Sequence, residues 1–208
     1  MESSLRCAAG ASDLKLIETM YWDGRSIPRL DLHLARLSAG MATLGWQAPC
    51  SAEKCLGELA MPPDPARLRL TMSQDGAIEI AVSDMPPAKA VWHIGLAAAR
   101  LWSDDPWLRV KSTRRAAYDE AREKLPSGLD EVIFLNERDE VCDGTITTVF
   151  FDRGEGLRTP PLTCGLLPGV LRAEIGCKEE VLCGKDLPYV DLWVGNALRG
   201  LCPALWRG

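Results

Sequence analysis

The sequence predicts a mixed α/β (α+β) chain, and three observations carry that prediction. Two turn signals of hairpin type, Asp23-Gly24 and Gln74-Asp75-Gly76, each follow a run that reads as a strand. Leu34, Leu37, Met41 and Leu44 recur at helical spacing and end at Gly45. Residues 131–135 form an apolar, β-branched run beyond a second helical stretch at 116–125. Hairpins interleaved with helices, without internal repeat or coiled coil, define this class.

Taken in order, residues 14–21 read as a strand that turns at Asp23-Gly24 and returns through residues 25–27 to Pro28. Asp31 is placed to cap the following helix, with His33 and Arg36 neighbours on its flank. A guanidinium there reaches a phosphate or a carboxylate; a solvated helix face is the other reading. A weaker helix over 50–59 is closed by Met61-Pro62-Pro63-Asp64-Pro65, and 66–72 with 77–82 make the second hairpin. Residues 91–98 read as extended, and the polar turn at 99–105 sets a division into domains 1–100 and 101–208. In the second half, Ala117, Ala121 and Leu125 are spaced for burial. Residues 137–140 make a charged turn, 149–151 a strand, and 170–175 a short helix that starts at Gly169. The last strands are expected at 180–183 and 191–194.

Bulk properties narrow the function. At 208 residues, 47% apolar and 25% charged, the chain buries a sizeable core unaided. A net charge of −5 argues against nucleic acid as partner. Eight scattered cysteines with no C-x-x-C pair, and only two histidines, argue for a reduced, cytoplasmic setting and against a zinc site. No run approaches the ~20 apolar residues of a membrane span, and residues 1–13 lack the apolar core of a signal peptide.

The stretch most suggestive of chemistry is 107–115, WLRVKSTRR. Read as a strand over 108–111, it turns Leu108 and Val110 to a core and leaves Arg109 and Lys111 together on the other face. A second cation, or loss of water, lowers a lysine pKa and supplies the neutral amine that attacks a carbonyl. A solvated basic loop is the alternative for the same residues.

Five stretches in order carry a family resemblance: Ile17-Glu18-Thr19-Met20; His33-Leu34-Ala35-Arg36-Leu37; Lys111-Ser112-Thr113-Arg114-Arg115; Gly165-Leu166-Leu167-Pro168-Gly169-Val170-Leu171-Arg172; and Asn196-Ala197-Leu198-Arg199-Gly200 with Pro203. Together they resemble the class IV aminotransferases, pyridoxal-phosphate enzymes of fold type IV that include branched-chain and D-amino-acid aminotransferases and aminodeoxychorismate lyase. The resemblance implies two α/β domains with the cofactor in the cleft between them, and a homodimer. It implies that Lys111 holds pyridoxal 5'-phosphate through its amine and moves the proton, and that Arg36 binds the cofactor phosphate. The Gly169 and Val170 amides would bind the same phosphate, although a plain turn also explains Pro168-Gly169. Asp143 falls where the family has a glutamate on the pyridine nitrogen.

Thr148 stands where the family usually has asparagine, and Ala197 where it often has serine or threonine. The amino-terminal segment before the Glu-Thr stretch is shorter than usual. Tyr21 and Arg109 are weak candidates for the substrate side, with hairpin packing the alternative for Tyr21. Aminodeoxychorismate lyase, for which 196–200 is the reason, is the leading expectation, ahead of an aminotransferase for branched-chain or D-amino acids. A non-catalytic descendant that binds the cofactor or a partner is the third, motivated by the short amino-terminal segment and the changes at 143, 148 and 197.

Overall fold

The computed structural model describes residues 13–47 and 51–208. They form two compact units: the described residues up to Pro87 together with Val110–Arg114, and Ala88–Arg109 with Arg115–Gly208. The division expected between 100 and 101 lies elsewhere for a topological reason. The strand at 92–101 pairs with strands of the second unit, whereas residues 110–114 return to the first.

In the first unit, β1 (Lys15–Trp22) pairs antiparallel along its whole length with β2 (Ala66–Ser73), and β2 pairs with β3 (Ile78–Asp84). The β2–β3 hairpin is the one expected, turning at Gly76 with φ +82°. The hairpin expected at Asp23-Gly24 is not formed. Asp23 makes a tight turn, its carboxylate accepting the Arg25 and Ser26 amides at 2.7 Å, but no strand returns. Residues 25–29 contain one large aliphatic side chain and a proline that donates no ladder bond, so β1 takes β2 instead, whose Ala66, Leu68, Leu70 and Met72 alternate into the core.

The chain instead enters α1 (Leu30–Leu44) through Arg29, which takes a left-handed φ of 63° and is the N-cap in place of the expected Asp31. Asp31 lies in the first turn, where its charge favours the helix dipole. The buried positions are His33, Leu37, Gly40 and Leu44, a face rotated slightly from the expected one, with Leu34 and Met41 half-buried. A Cβ at Gly40 would stand 3.1 Å from Leu16, so the glycine lets the helix lie close on β1. Gly45, φ +70°, ends the helix as expected. The helix expected over 50–59 is the shorter α2 (Ala52–Gly57), capped by Ser51; residue 50 lies outside the described residues.

The second unit is built on one eight-stranded sheet. Its strands are β4 (Trp92–Leu101), β5 (Glu131–Asn136), β6 (Val141–Gly144), β7 (Thr148–Asp152), β8 (Arg158–Thr159), β9 (Lys178–Glu179), β10 (Asp191–Asn196) and β11 (Gly200–Trp206). The order is β10-β11-β4-β5-β6-β7-β8-β9, and β10 also pairs with β7, so the sheet closes on itself with β8 and β9 as an extension. β4 and β5 are parallel and are joined by α3 (Ala116–Glu123), as a parallel pair requires a crossover. Closure buries both faces of β5: Ile133 and Leu135 join Ile94, Val149, Phe151 and Val194, while Phe134 packs with Leu101, Leu108, Cys142, Cys164 and Leu166. The expected short helix is α4 (Val170–Ile175).

Three expectations in this half are corrected. Residues 108–111 are not a strand: Pro106–Arg109 form a 3₁₀ turn, begun where Asp105 accepts the Trp107 amide, and exposed Arg109 closes it. Residues 180–183 make a single bridge, Glu140 with Cys183, because Gly184 starts another 3₁₀ turn; the strand there is β9. β11 was not expected. Its Pro203 reads as a breaker but is tolerated opposite Trp193, with Leu201, Pro203 and Leu205 on the exposed side.

Candidate active site

Lys111 belongs to the first unit and is held there by backbone. Its carbonyl accepts the Ile17 amide at 2.9 Å, Ser112 bridges Leu16, and the Thr113 amide donates to the Lys15 carbonyl. The amine-bearing residue is thereby tied to β1 at the position next to Glu18. Arg109 and Lys111 do not share a strand face, so the proposed pairing of two cations by strand alternation is lost.

Glu18 is only 2% exposed, a rare setting for a carboxylate, and it is fully engaged. Arg36 donates Nε to its Oε1 at 2.8 Å and Nη2 to its Oε2 at 2.5 Å; His33 Nδ1 lies 2.6 Å from the same Oε2. Burial pushes the Glu18 carboxyl up, but the hydrogen bonds and charges of His33 and Arg36 outweigh it and hold the group below its ordinary value. His33 and Arg36 therefore lie not on a solvated face but around a buried anion. Lys111 and Arg36 thus reach consecutive residues of one strand. Tyr21, half-exposed near the end of β1, pairs with Arg67.

In the second unit two of the predicted residues, Asp143 and Gly169, approach a third, Thr148. It pairs across the sheet with Asp143 on one side and Gly195 on the other, and a Cβ at Gly169 would stand 2.6 Å from its Oγ1. Gly169 therefore has to be a glycine for the start of α4 to approach β7 this closely. Ala197 is buried in the turn between β10 and β11, where Asn196 Oδ1 accepts the Leu198 and Arg199 amides and Nδ2 donates to the Ile146 carbonyl. Asp143 is buried, its Oδ1 accepting the Tyr118 hydroxyl and its Oδ2 the Leu167 amide, each at 3.2 Å. Burial first, and then the Asp143 charge, push the Tyr118 phenol up, so it remains a donor.

The loop from Asp143 to Thr148 is clamped from below. Glu131, fully buried, accepts the Thr145 amide at 3.0 Å, the Thr145 hydroxyl at 2.5 Å, the Ile146 amide at 3.1 Å and the Thr147 hydroxyl at 3.0 Å. Arg115 Nη2 secures the same loop through the Thr145 carbonyl. Glu18, Glu131 and Tyr118 received no role from the sequence. The available signal was an acidic residue inside or opening an otherwise apolar strand, at Leu-Ile-Glu-Thr-Met and Glu-Val-Ile-Phe-Leu.

Among the described residues no cluster of His, Cys, Asp and Glu is suited to a metal, and no helix is long and apolar enough to cross a membrane. All six described cysteines are free thiols.

The fold is that of the fold type IV pyridoxal-phosphate enzymes. A family model described as amino-transferase class IV matches residues 15–205, and the chain belongs to that family. A provisionally named aminodeoxychorismate lyase of Schizosaccharomyces pombe is 28% identical over 167 residues, 77% of this chain and 72% of that one. The crystal structure of a provisionally named amino-acid aminotransferase from Mesorhizobium loti is 42% identical, with a TM-score of 0.88 over 94% of this chain and 100% of that one. A hypothetical aminotransferase of Mycobacterium tuberculosis, solved in its PLP-bound form, shares the fold at 20% identity, with a TM-score of 0.74 over 97% of this chain and 83% of that one. The relatives are thus lyases and transaminases by name.

Proposed function

We propose that the protein is a pyridoxal 5'-phosphate enzyme acting on a small-molecule amino substrate, converting 4-amino-4-deoxychorismate into p-aminobenzoate and pyruvate, a step that supplies folate synthesis. Two observations, one in each unit, carry the reading: in the first, the backbone of the amine-bearing Lys111 and the ion-paired Arg36 guanidinium meet consecutive residues of β1; in the second, a buried carboxylate lies beside a hydroxyl and a helix start on β6, β7 and α4. Each supplies groups of the kind the cofactor needs. The Thr148–Gly169 approach leaves backbone amides and a hydroxyl for a phosphate, and Asp143 offers a carboxylate suited to a protonated ring nitrogen.

When bound, pyridoxal phosphate supplies the electron sink for charge that develops at the amine-bearing substrate carbon. Lys111 Nζ would hold it and would carry the proton to and from that carbon. Arg36 would bind the phosphate with a planar fork of donors, the role also assigned to the Gly169 and Val170 amides, and Thr148 and Ala197 are assigned to cofactor binding. Asp143 holds the proton on the ring nitrogen. It is one methylene shorter than glutamate, and the Tyr118 hydroxyl and Leu167 amide fix its two oxygens in place. Tyr21 and Arg109 are assigned to the substrate side. The proposal includes a homodimer, which a monomer in sedimentation at high concentration would contradict, and a cytoplasmic location, which six free thiols favour.

An aminotransferase using the same residues is the second reading, favoured by the 42% identity to the Mesorhizobium loti protein. The test has two stages. Borohydride should fix the cofactor on the peptide containing Lys111, and Lys111→Ala should abolish labelling and turnover; labelling of Lys15 or Lys124 instead overturns the assignment. Product analysis then separates the readings, since p-aminobenzoate with pyruvate marks the lyase and amino-group exchange with a 2-oxo acid marks the transaminase.

A further inference from the structure

Arginine binds a phosphate well only when its fork is held in one orientation, because a freely rotating guanidinium loses several rotatable bonds on binding. In this protein the Nε and Nη2 edge of Arg36 rests on both oxygens of Glu18, at 2.8 and 2.5 Å. Glu18 is itself fixed on two sides, by its place in β1 paired with Leu70 and by His33 Nδ1 at 2.6 Å. His33 is 1% exposed, and its other ring nitrogen, Nε2, has no hydrogen-bond partner. A buried imidazole with one nitrogen unsatisfied is a cost to stability that simple packing does not explain. The one bond it makes is spent on the carboxylate that orients Arg36.

We propose that Glu18 is a positioning residue for the phosphate-binding arginine, with His33 setting the orientation of Glu18. The inference rests on the reading of Arg36 as a phosphate ligand. Glu18 touches neither cofactor nor substrate; it confines the Arg36 guanidinium so that binding of the phosphate dianion loses little rotational freedom. The glutamine amide of a Glu18→Gln variant would present donors to donors at Arg36 Nη2 or His33 Nδ1, so the fork is released although the shape is kept.

The test compares two ligands on apoprotein, pyridoxal 5'-phosphate and pyridoxal, by quenching of tryptophan fluorescence. Glu18→Gln should weaken pyridoxal phosphate by about tenfold, the scale of one lost charge-assisted hydrogen bond, and leave pyridoxal within about twofold. In an Arg36→Ala background the same change should weaken binding no further, since a residue that acts through another has nothing left to act on. His33→Leu should reproduce part of the loss and His33→Asn, whose amide can donate to Glu18, should restore most of it; this pair decides the matter if Glu18→Gln does not fold. Equal losses for both ligands would show a merely structural role and overturn the proposal. So would additive losses in the double variant, or unchanged affinity. If the wild-type protein does not prefer the phosphorylated ligand, the phosphate reading of Arg36 falls and this inference with it. If it does prefer it and Glu18→Gln binds like wild type, this inference alone falls.

Discussion

Glu18 and Glu131 are both buried glutamates on β-strands, yet they work in opposite ways. Glu18 is held by two side chains, the Arg36 guanidinium, which matches its charge, and the His33 imidazole. Glu131 takes its hydrogen bonds mainly from neutral donors, two amides and two hydroxyls of one loop and the Val132 amide, with the Arg122 guanidinium farther off at 3.7 Å, so its charge is spread chiefly over short, local groups. The first arrangement fixes the orientation of the Arg36 guanidinium. The second makes a loop rigid enough to present Asp143 and Thr148 at its two ends. The same residue type thus serves aim in one unit and stiffness in the other, and the difference lies in what the neighbours can do without it.

The comparison breaks most visibly at Glu131. Glu131→Ala leaves four loop donors, three of them buried, without their acceptor, and we expect a loss of about 3–5 kcal/mol in unfolding free energy, read by urea denaturation. A loss below about 1 kcal/mol would mean that water or another group replaces the clamp. By contrast Asp143→Asn, at one end of that loop, should change stability little but lower turnover by about 10- to 100-fold, because the ring proton matters most once negative charge develops. Borohydride labelling at Lys111 should persist in that variant; loss of labelling would move Asp143 from ring electronics to cofactor retention.

The smallest expected effect sharpens the contrast in charge. Glu18 has its folded pKa depressed, so the unfolded chain binds its proton first as pH falls. Its contribution is present above the ordinary carboxylate value of 4.5 and is lost as pH drops through the lower folded value. Glu18→Gln should therefore flatten part of the acid limb below about pH 4.5 in a stability-against-pH profile. An unaltered acid limb would indicate that Glu18 is not the ionised partner of Arg36.

Much of this was legible along the chain because it is local. The β2–β3 hairpin follows from Asp75-Gly76, the end of α1 from Gly45, the buried β5 from its apolar run, and the start of α4 from Pro168-Gly169. The order of Lys111, Asp143 and Gly169 likewise stands in the sequence, as does the family that order indicates. What only the tertiary structure decided is pairing at a distance. Asp23-Gly24 carries a hairpin signal, but a turn signal states that the chain can reverse and not that the next residues will pair; β2, more than forty residues on, competes with them and buries more. Lys111 belongs with β1 because residues 110–114 cross back to bond Lys15 to Ile17, which no local pattern contains. The roles of Glu18, Glu131 and Tyr118 were not legible in the sequence for the same reason. A charge in an apolar strand is informative only when its counterpart is known, and those counterparts, at positions 33, 36, 143, 145 and 147, are brought near by folding alone.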